Sequence, residues 1–270
     1  MRLGERTLVM GVLNITPDSF SDGGLHADVG RAVEAGWRMA QDGADILDIG
    51  GESTRPGAEA VGAAEEMRRV LPVIERLVAR TEALISIDTY KAEVAREAIA
   101  RGAAIINDIS GLQYDPALAS VAAETGAALI LMHTRGRSRE MYDLANYDDV
   151  VTDVGRELQL AIDRGTGAGV RRESIILDPG FGFAKRPAHS FSLLARLGEL
   201  AVLDRPILSG PSRKSFLKEA LGDRLPADRE WGTAAAVTAS VLLGAHIVRV
   251  HNVGAMTDVV RVADRLSSFR

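Results

Sequence analysis

The chain has 270 residues, 46% of them hydrophobic and 26% charged, which is enough apolar material for a large core and not the composition of a disordered segment. Its net charge of −5 comes from acidic and basic residues mixed along the whole length, so no concentrated basic face points to nucleic acid. The absence of cysteine excludes disulfides, thiolate zinc sites and thiol nucleophiles, leaving carboxylates, amides, Lys, Arg and His for any chemistry.

Eight short apolar runs follow one another: Leu8–Leu13, Ile46–Ile49, Leu84–Ile87, Ile105–Ile106, Leu129–Met132, Ile175–Leu177, Ile207–Leu208 and Ile247–Val250. They do not alternate with polar residues, as expected of parallel strands covered on both faces. Between them the spacing is helical, with Val29, Val33, Gly36 and Ala40 on one face, then Val94, Ala98 and Ile99, then Leu118, Val121, Ala122 and Thr125. Asp115-Pro116 reads as a cap with a first-turn proline, and Gly126 as the stop of that helix. Gly43-Ala44-Asp45, Gly102-Ala103-Ala104, Gly126-Ala127-Ala128 and Gly244-Ala245-His246 form a weak repeat, each a left-handed turn from a helix into the next run. Strand and helix alternating eight times predict an α/β fold, a (β/α)8 TIM barrel filling residues 1–270 as a single domain. Met1–Asn14 lacks the apolar core and cleavage site of a signal peptide, and Ala234–Ile247 is interrupted by Thr238, Ser240, Gly244 and His246. The expectation is a cytoplasmic protein with no membrane span.

The runs end at Asn14, Asp48, Asp88, Asn107-Asp108, His133, Asp178, Ser209 and His251. Taken singly, each tip is as readily a cap for the following helix. Eight together predict a site on the C-terminal face, where barrel enzymes build theirs. Long glycine-punctuated loops follow the first two runs. In the first, Phe20 is an apolar residue amid turn formers, the pattern of a loop that closes on a ligand; in the second, Thr54 and Arg55 set a hydroxyl beside a guanidinium, a pairing that suits an anion.

Asn14-Ile15-Thr16-Pro17-Asp18-Ser19-Phe20-Ser21-Asp22-Gly23-Gly24 and Asp48-Ile49-Gly50-Gly51-Glu52-Ser53-Thr54-Arg55-Pro56-Gly57 resemble the two signatures of the dihydropteroate synthase family. The likeness continues through Ile87-Asp88-Thr89-Tyr90-Lys91, Asn107-Asp108-Ile109, Asp178-Pro179-Gly180-Phe181-Gly182-Phe183, Ser212-Arg213-Lys214 and Arg249-Val250-His251, in family order over nearly the whole chain. The resemblance implies a pterin-binding (β/α)8 barrel. It would join 6-hydroxymethyl-7,8-dihydropterin diphosphate to 4-aminobenzoate and release pyrophosphate in folate synthesis, as a magnesium-dependent homodimer and sulfonamide target. By the same resemblance Asp88, Asn107, Met132, Asp178 and Lys214 hold the pterin, and Asn14, Thr54, Arg55, Arg249 and His251 face the diphosphate. Phe20, Pro56, Phe183 and Ser212, the last with backbone N–H groups at a helix start, form the 4-aminobenzoate site. Asn14 and Asp22 bind Mg2+, and Arg55, Lys214, Arg249 and His251 carry the catalysis.

These residue types suit that chemistry. An amidine edge of a pterin offers two adjacent N–H donors, which a carboxylate such as Asp178 can accept bidentately. A diphosphate leaving group needs fixed positive charge and usually a divalent cation. Arg249 and His251, two apart, lie on one face of the last strand. Asn252, at an expected helix cap, departs from the family's commoner Asp, and Arg135 and Arg137 have no assigned role. Glu65-Glu66, Trp37 and Trp231 read as helix surface or core. Three alternatives stay open: a barrel using methyl-tetrahydrofolate for methyl transfer, a non-catalytic pterin binder, and an aldolase-like barrel in which Lys214 forms a Schiff base.

Overall fold

The computed structural model describes residues 3–15, 24–53, 60–137 and 140–269; the expected site residues Phe20, Asp22, Thr54, Arg55 and Pro56 lie outside them. Eight parallel strands, β1 Leu8–Asn14, β2 Ile46–Gly50, β3 Leu84–Asp88, β4 Ile105–Asp108, β5 Ala128–Met132, β6 Ile175–Asp178, β7 Leu208–Ser209 and β8 Ile247–Val250, run in the order β6-β5-β4-β3-β2-β1-β8-β7. The ring closes at the β6/β7 seam through one parallel bridge, Leu177 to Ile207, and a hydrogen bond from the Leu177 N–H to the Pro206 carbonyl at 2.9 Å. The seventh strand is short because Pro206 has no N–H to give to a ladder and Gly210-Pro211 follows directly. Among the described residues the helices are α1 Gly24–Gln41, α2 Ala63–Val78, α3 Ala92–Ala100, α4 Ala117–Thr125, α5 Val150–Gly167, α6 Pro187–Ala195, α7 Lys218–Leu221, α8 Glu230–Leu242 and α9 Val253–Ser267. No helix among them is long and apolar enough to cross a membrane. The four glycines of the Gly-Ala repeat, Gly43, Gly102, Gly126 and Gly244, all take positive φ, between 71° and 102°. Asn252 does occupy the N-cap position of α9, but its side chain makes no capping bond.

Period-two alternation sorts the strand residues into two layers. Leu8, Met10, Ile46, Ile105, Ile130, Ile176, Leu208 and Ile247 form a core of their own inside the ring, none more than 6% exposed. Their neighbours Val9, Leu47, Ile106, Leu129, Ile175 and Val248 pack outward against the helices in the larger core. Each fully buried Leu or Ile contributes about 1.5–3 kcal/mol, so the ring is held from both sides. Counting by two from the inner set carries Asn14, Asp48, Asp88, Asn107, Met132, Asp178, Arg249 and His251 to the inside at the C-terminal mouth.

The same count turns Asp108, His133 and Ser209 outward, which corrects the expectation that every tip serves the site. Asp108 accepts from the Ser110 N–H at 2.8 Å, the Ser110 hydroxyl at 2.7 Å and the Leu112 N–H at 2.6 Å, a turn-forming role. Ser209 bonds the Ser240 hydroxyl on α8 at 2.7 Å, and His133 reaches Glu157 on α5 at 2.9 Å. The fifth strand therefore presents Met132 to the mouth, and the seventh presents only Gly210.

Candidate active site

The floor of the mouth is a carboxylate, Asp48, with no solvent exposure. Its Oδ2 accepts from Arg249 Nε at 2.6 Å and from the Asn107 amide at 3.0 Å, while Oδ1 has no partner among the described residues. Arg249 also donates to Asp88 Oδ2 at 2.7 Å, so one guanidinium is clamped between β2 and β3 carboxylates. Burial lowers Arg249, but Asp48 and Asp88 outweigh that and hold it above the usual arginine range. Burial and the neighbouring Asp48 push the Asp88 carboxyl up to about 7 against the pull of Arg249.

Across the mouth, Asp178 ends β6 at 7% exposure and accepts from the Gly180 N–H at 2.7 Å. That bond needs an abrupt turn. Gly180 has φ of 68°, and a Cβ there would lie 2.1 Å from the His133 carbonyl oxygen, so only glycine fits. Burial raises the Asp178 carboxyl, with the Gly180 N–H and then Lys214 and Arg249 working against it. Lys214 donates to the Phe181 carbonyl at 2.9 Å and stands 4.0 Å over the Phe183 ring. Burial brings Lys214 down to about 8, opposed by Asp178. Asp88 and Asp178 each act electrostatically on both Lys214 and Arg249, so four groups far apart in sequence share one poorly solvated cup. Asn107 and Met132 are buried in its wall, and Asn14 lies half-buried at its rim.

His251 and Ser212 are joined, Nδ1 to Oγ at 3.0 Å. The expected helix start at Ser212 is absent. Arg213 takes φ of 59°, its N–H goes to the Thr233 hydroxyl at 3.1 Å and that of Lys214 to the Pro211 carbonyl at 3.3 Å. The next helical turn begins only at Ser215. A carboxylate near Ser212 thus meets a side-chain hydroxyl and not a fan of helix N–H groups. Nor does Lys214 sit on a strand facing a carbonyl pocket, as a Schiff-base lysine would.

Several polar residues that the sequence did not single out organise this face. Glu52 takes the Lys91 ammonium at 2.6 Å, the Tyr90 hydroxyl at 3.0 Å and the Val61 N–H at 3.1 Å. It thereby ties together the two stems flanking residues 54–59. Lys91 bonds Glu66 as well, a residue of α2 with 0% exposure that had read as helix surface or core. Arg135, previously without a role, bonds Glu157 and stacks 4.0 Å over Tyr147, while Arg137 stacks 4.3 Å over Tyr114. Asp48 was visible as a tip; its clamp on Arg249 follows from the period-two count.

A family model described as pterin binding enzyme matches residues 10–251. The dihydropteroate synthase of Synechocystis is 47% identical over 263 residues, covering 97% of this chain and 91% of that protein. That of Escherichia coli K12 is 46% identical over 262 residues, covering 97% and 92%. Among solved structures, the Xanthomonas albilineans dihydropteroate synthase with 4-aminobenzoic acid superposes with a TM-score of 0.91 at 46% identity, covering 98% of this chain and 94% of that one. The Yersinia pestis enzyme in a sulfonamide complex gives 0.92 at 43%, covering 97% and 95%. Eight parallel strands, a cup of inward carboxylates around one arginine, and near full-length identity to these enzymes agree: the chain belongs to the dihydropteroate synthase family of pterin-binding enzymes.

Proposed function

We propose that the cup binds 6-hydroxymethyl-7,8-dihydropterin diphosphate and that the protein, a transferase of folate synthesis, joins it to 4-aminobenzoate to give 7,8-dihydropteroate and pyrophosphate. The observation that carries this reading is the meeting of Asp88, Asn107, Asp178 and Lys214 around Arg249 in one buried mouth. Asp178, with a single protein hydrogen bond among the described residues, accepts the two N–H groups of the amidine edge. Asp88 and Asn107 read other edges of the ring, Lys214 donates to its carbonyl side, and Met132 packs on it. The C–O bond to the diphosphate breaks with its electron pair leaving on pyrophosphate, while the ring delocalises the positive charge at the methylene. The amine lone pair of 4-aminobenzoate then forms the C–N bond and a proton is lost. The protein supplies position and charge, with no covalent nucleophile.

Thr54, Arg55, Arg249 and His251 hold the departing anion, and Phe20, Pro56, Phe183 and Ser212 hold 4-aminobenzoate. The solved X. albilineans enzyme with 7,8-dihydropteroate, 43% identical here, supports the same product. Mg2+ fits the donors: it prefers a few hard oxygens plus phosphate, and the Asn14 amide oxygen at the rim, Asp22 and the diphosphate make such a set. Among the described residues no cluster of three or more His, Cys, Asp or Glu offers a competing all-protein cage. When bound, the ion neutralises charge on the leaving group. A homodimer is supported by two exposed apolar side chains, Trp231 on α8 at 84% and Leu225 before that helix at 71%; a cytoplasmic location and competition by sulfonamides complete the reading. Incubating the protein with the pterin diphosphate, 4-aminobenzoate and Mg2+ and separating the products tests it. Equal amounts of dihydropteroate and pyrophosphate are expected, and the formation of neither product overturns the reading.

A further inference from the structure

Behind the barrel wall, on the outer side of the β5 and β6 tips, Lys185 is buried to 1% exposure without a carboxylate in hydrogen-bond contact among the described residues. Its Nζ meets His133 Nδ1 at 2.7 Å, the Phe183 carbonyl at 3.0 Å and the Gly180 carbonyl at 3.1 Å. The His133 carbonyl lies further off at 3.4 Å, so four acceptors surround a group that has three N–H bonds as an ammonium, and burial brings Lys185 well below the usual lysine range against the pull of Asp178. The His133 tautomer follows from its other side. Nε2 lies 2.9 Å from Glu157, and a carboxylate only accepts, so Nε2 carries the proton and Nδ1 is a bare acceptor facing Lys185. Burial, with Lys185 adding to it, keeps His133 neutral, down at about 4. Glu157 is in turn oriented by Arg135 at 3.0 Å.

Every group that Lys185 touches leads into the cup. The Gly180 N–H bonds the Asp178 carboxylate, and the His133 N–H bonds the Asp178 carbonyl at 2.9 Å. Phe183 supplies the ring under Lys214. The backbone of this turn takes positive φ at Gly180, Gly182 and Ala184, so it is held by individual bonds and not by a ladder: the Phe183 N–H to the Gly180 carbonyl at 3.1 Å, the Gly182 N–H to the Ser190 hydroxyl at 3.1 Å, the Tyr147 hydroxyl to the Ala184 carbonyl at 2.9 Å, and those of Lys185. We propose that Lys185 is a positioning residue: its Nζ binds His133 and the carbonyls of Gly180 and Phe183 into one rigid unit that presents Asp178 to the pterin and the Phe183 face to 4-aminobenzoate. This rests on the reading of the cup as a pterin site. Lys185 itself touches no substrate and acts through the turn.

The test compares wild type with Lys185→Met and Lys185→Arg by calorimetric titration with 6-hydroxymethyl-7,8-dihydropterin and by steady-state kinetics. Lys185→Met takes the ammonium donor from His133 Nδ1 and the Phe183 carbonyl, while the Gly180 carbonyl keeps the Phe183 N–H at 3.1 Å, and is expected to weaken pterin affinity about tenfold or more, raising KM for the pterin diphosphate by a like factor while kcat changes by less than about threefold. Lys185→Arg, which keeps the charge and the donors, recovers most of the loss. Wild-type affinity in Lys185→Met overturns the proposal, whereas a wild-type protein that binds no pterin overturns the reading of the cup instead. Because Lys185→Met can misfold, 15N imidazole spectra of the wild type give a second readout. His133 with a bare, hydrogen-bonded Nδ1 that responds to saturating pterin supports the tether, and a protonated Nδ1 or an unresponsive ring overturns it.

Discussion

Among the described residues the Asp178 carboxylate receives one hydrogen bond, from the Gly180 N–H at 2.7 Å, and a carboxylate can accept about four. Its two oxygens suit two adjacent ring N–H donors, so Asp178→Ala should weaken pterin binding by ~1.5–3 kcal/mol, roughly ten- to a hundredfold by calorimetry. Unchanged affinity would mean that the ring binds elsewhere. Two neighbours titrate near neutrality, Asp88 at about 7 and Lys214 at about 8. Asp88 serves as a charged acceptor and a clamp on Arg249 only above its value, and Lys214 as a cationic donor only below its own. The pH profile of kcat/KM for the pterin should therefore be a narrow bell between about 7 and 8, with Asp88→Asn removing the acid limb. Stability runs the other way. Asp88 is raised from 3.8, so between that value and about 7 the folded state holds the extra proton and stability falls as pH rises. Lys214 is lowered from 10.5, so between about 8 and 10.5 the unfolded state holds it and stability rises with pH. The ligand-free cup is thus least stable in the pH range where it binds best.

At the scale of single elements, much of the site was legible because β-strands alternate strictly. Counting by two from Ile46 reaches Asp48, from Leu84 Asp88, from Ile176 Asp178, and from Ile247 Arg249 and His251. The same count separates Asn107 from Asp108 and Met132 from His133. Turns and helix phases carried no comparable signal. Arg213 takes a left-handed conformation that no glycine announces, so a helix was expected at Ser212 where none begins. Of the adjacent Glu65 and Glu66, one forms surface pairs with Arg68 and Arg69 while the other is fully buried. What decides between them is Lys91, 25 residues further on and on the far side of β3. Lys185 gives no warning either, since its partners are carbonyls and a ring nitrogen brought by the fold. The half-buried Lys91 is where the element scale can be tested. Burial lowers its ammonium, but Glu52 and Glu66 outweigh that and hold it above its usual value; Lys91→Met leaves Glu66 as an uncompensated buried charge. The substitution should destabilise by about 3–5 kcal/mol in urea unfolding, with Glu66→Gln added to it recovering much of the loss. A cost within about 0.5 kcal/mol, the range of an ordinary surface change, would show that the pair does not hold the loop stem.

Across the whole molecule, the ring is not equally strong all the way round. Neighbouring strands from β1 to β6 share ladders of three to five residue pairs, whereas β6 and β7 meet in one bridge and the Leu177 N–H bond to Pro206. Asp178 ends β6 and Lys214 follows β7, so the two groups expected on opposite edges of the pterin stand on either side of that seam. Lys214 already joins these two loops through its bond to the Phe181 carbonyl at 2.9 Å. A ring bonded to both Asp178 and Lys214 would bridge the seam and reinforce the barrel at its thinnest point. Pterin at about a hundred times its Kd should raise the unfolding free energy by ~2.7 kcal/mol through mass action alone. If it also bridges the seam, amide exchange at Leu177 should slow by more than at Leu47 or Ile85, whose strands are fully laddered. Hydrogen exchange with and without the pterin separates the two effects. Equal slowing at all three amides would mean that the ligand stabilises the barrel globally, and the seam would then not be where binding and closure meet.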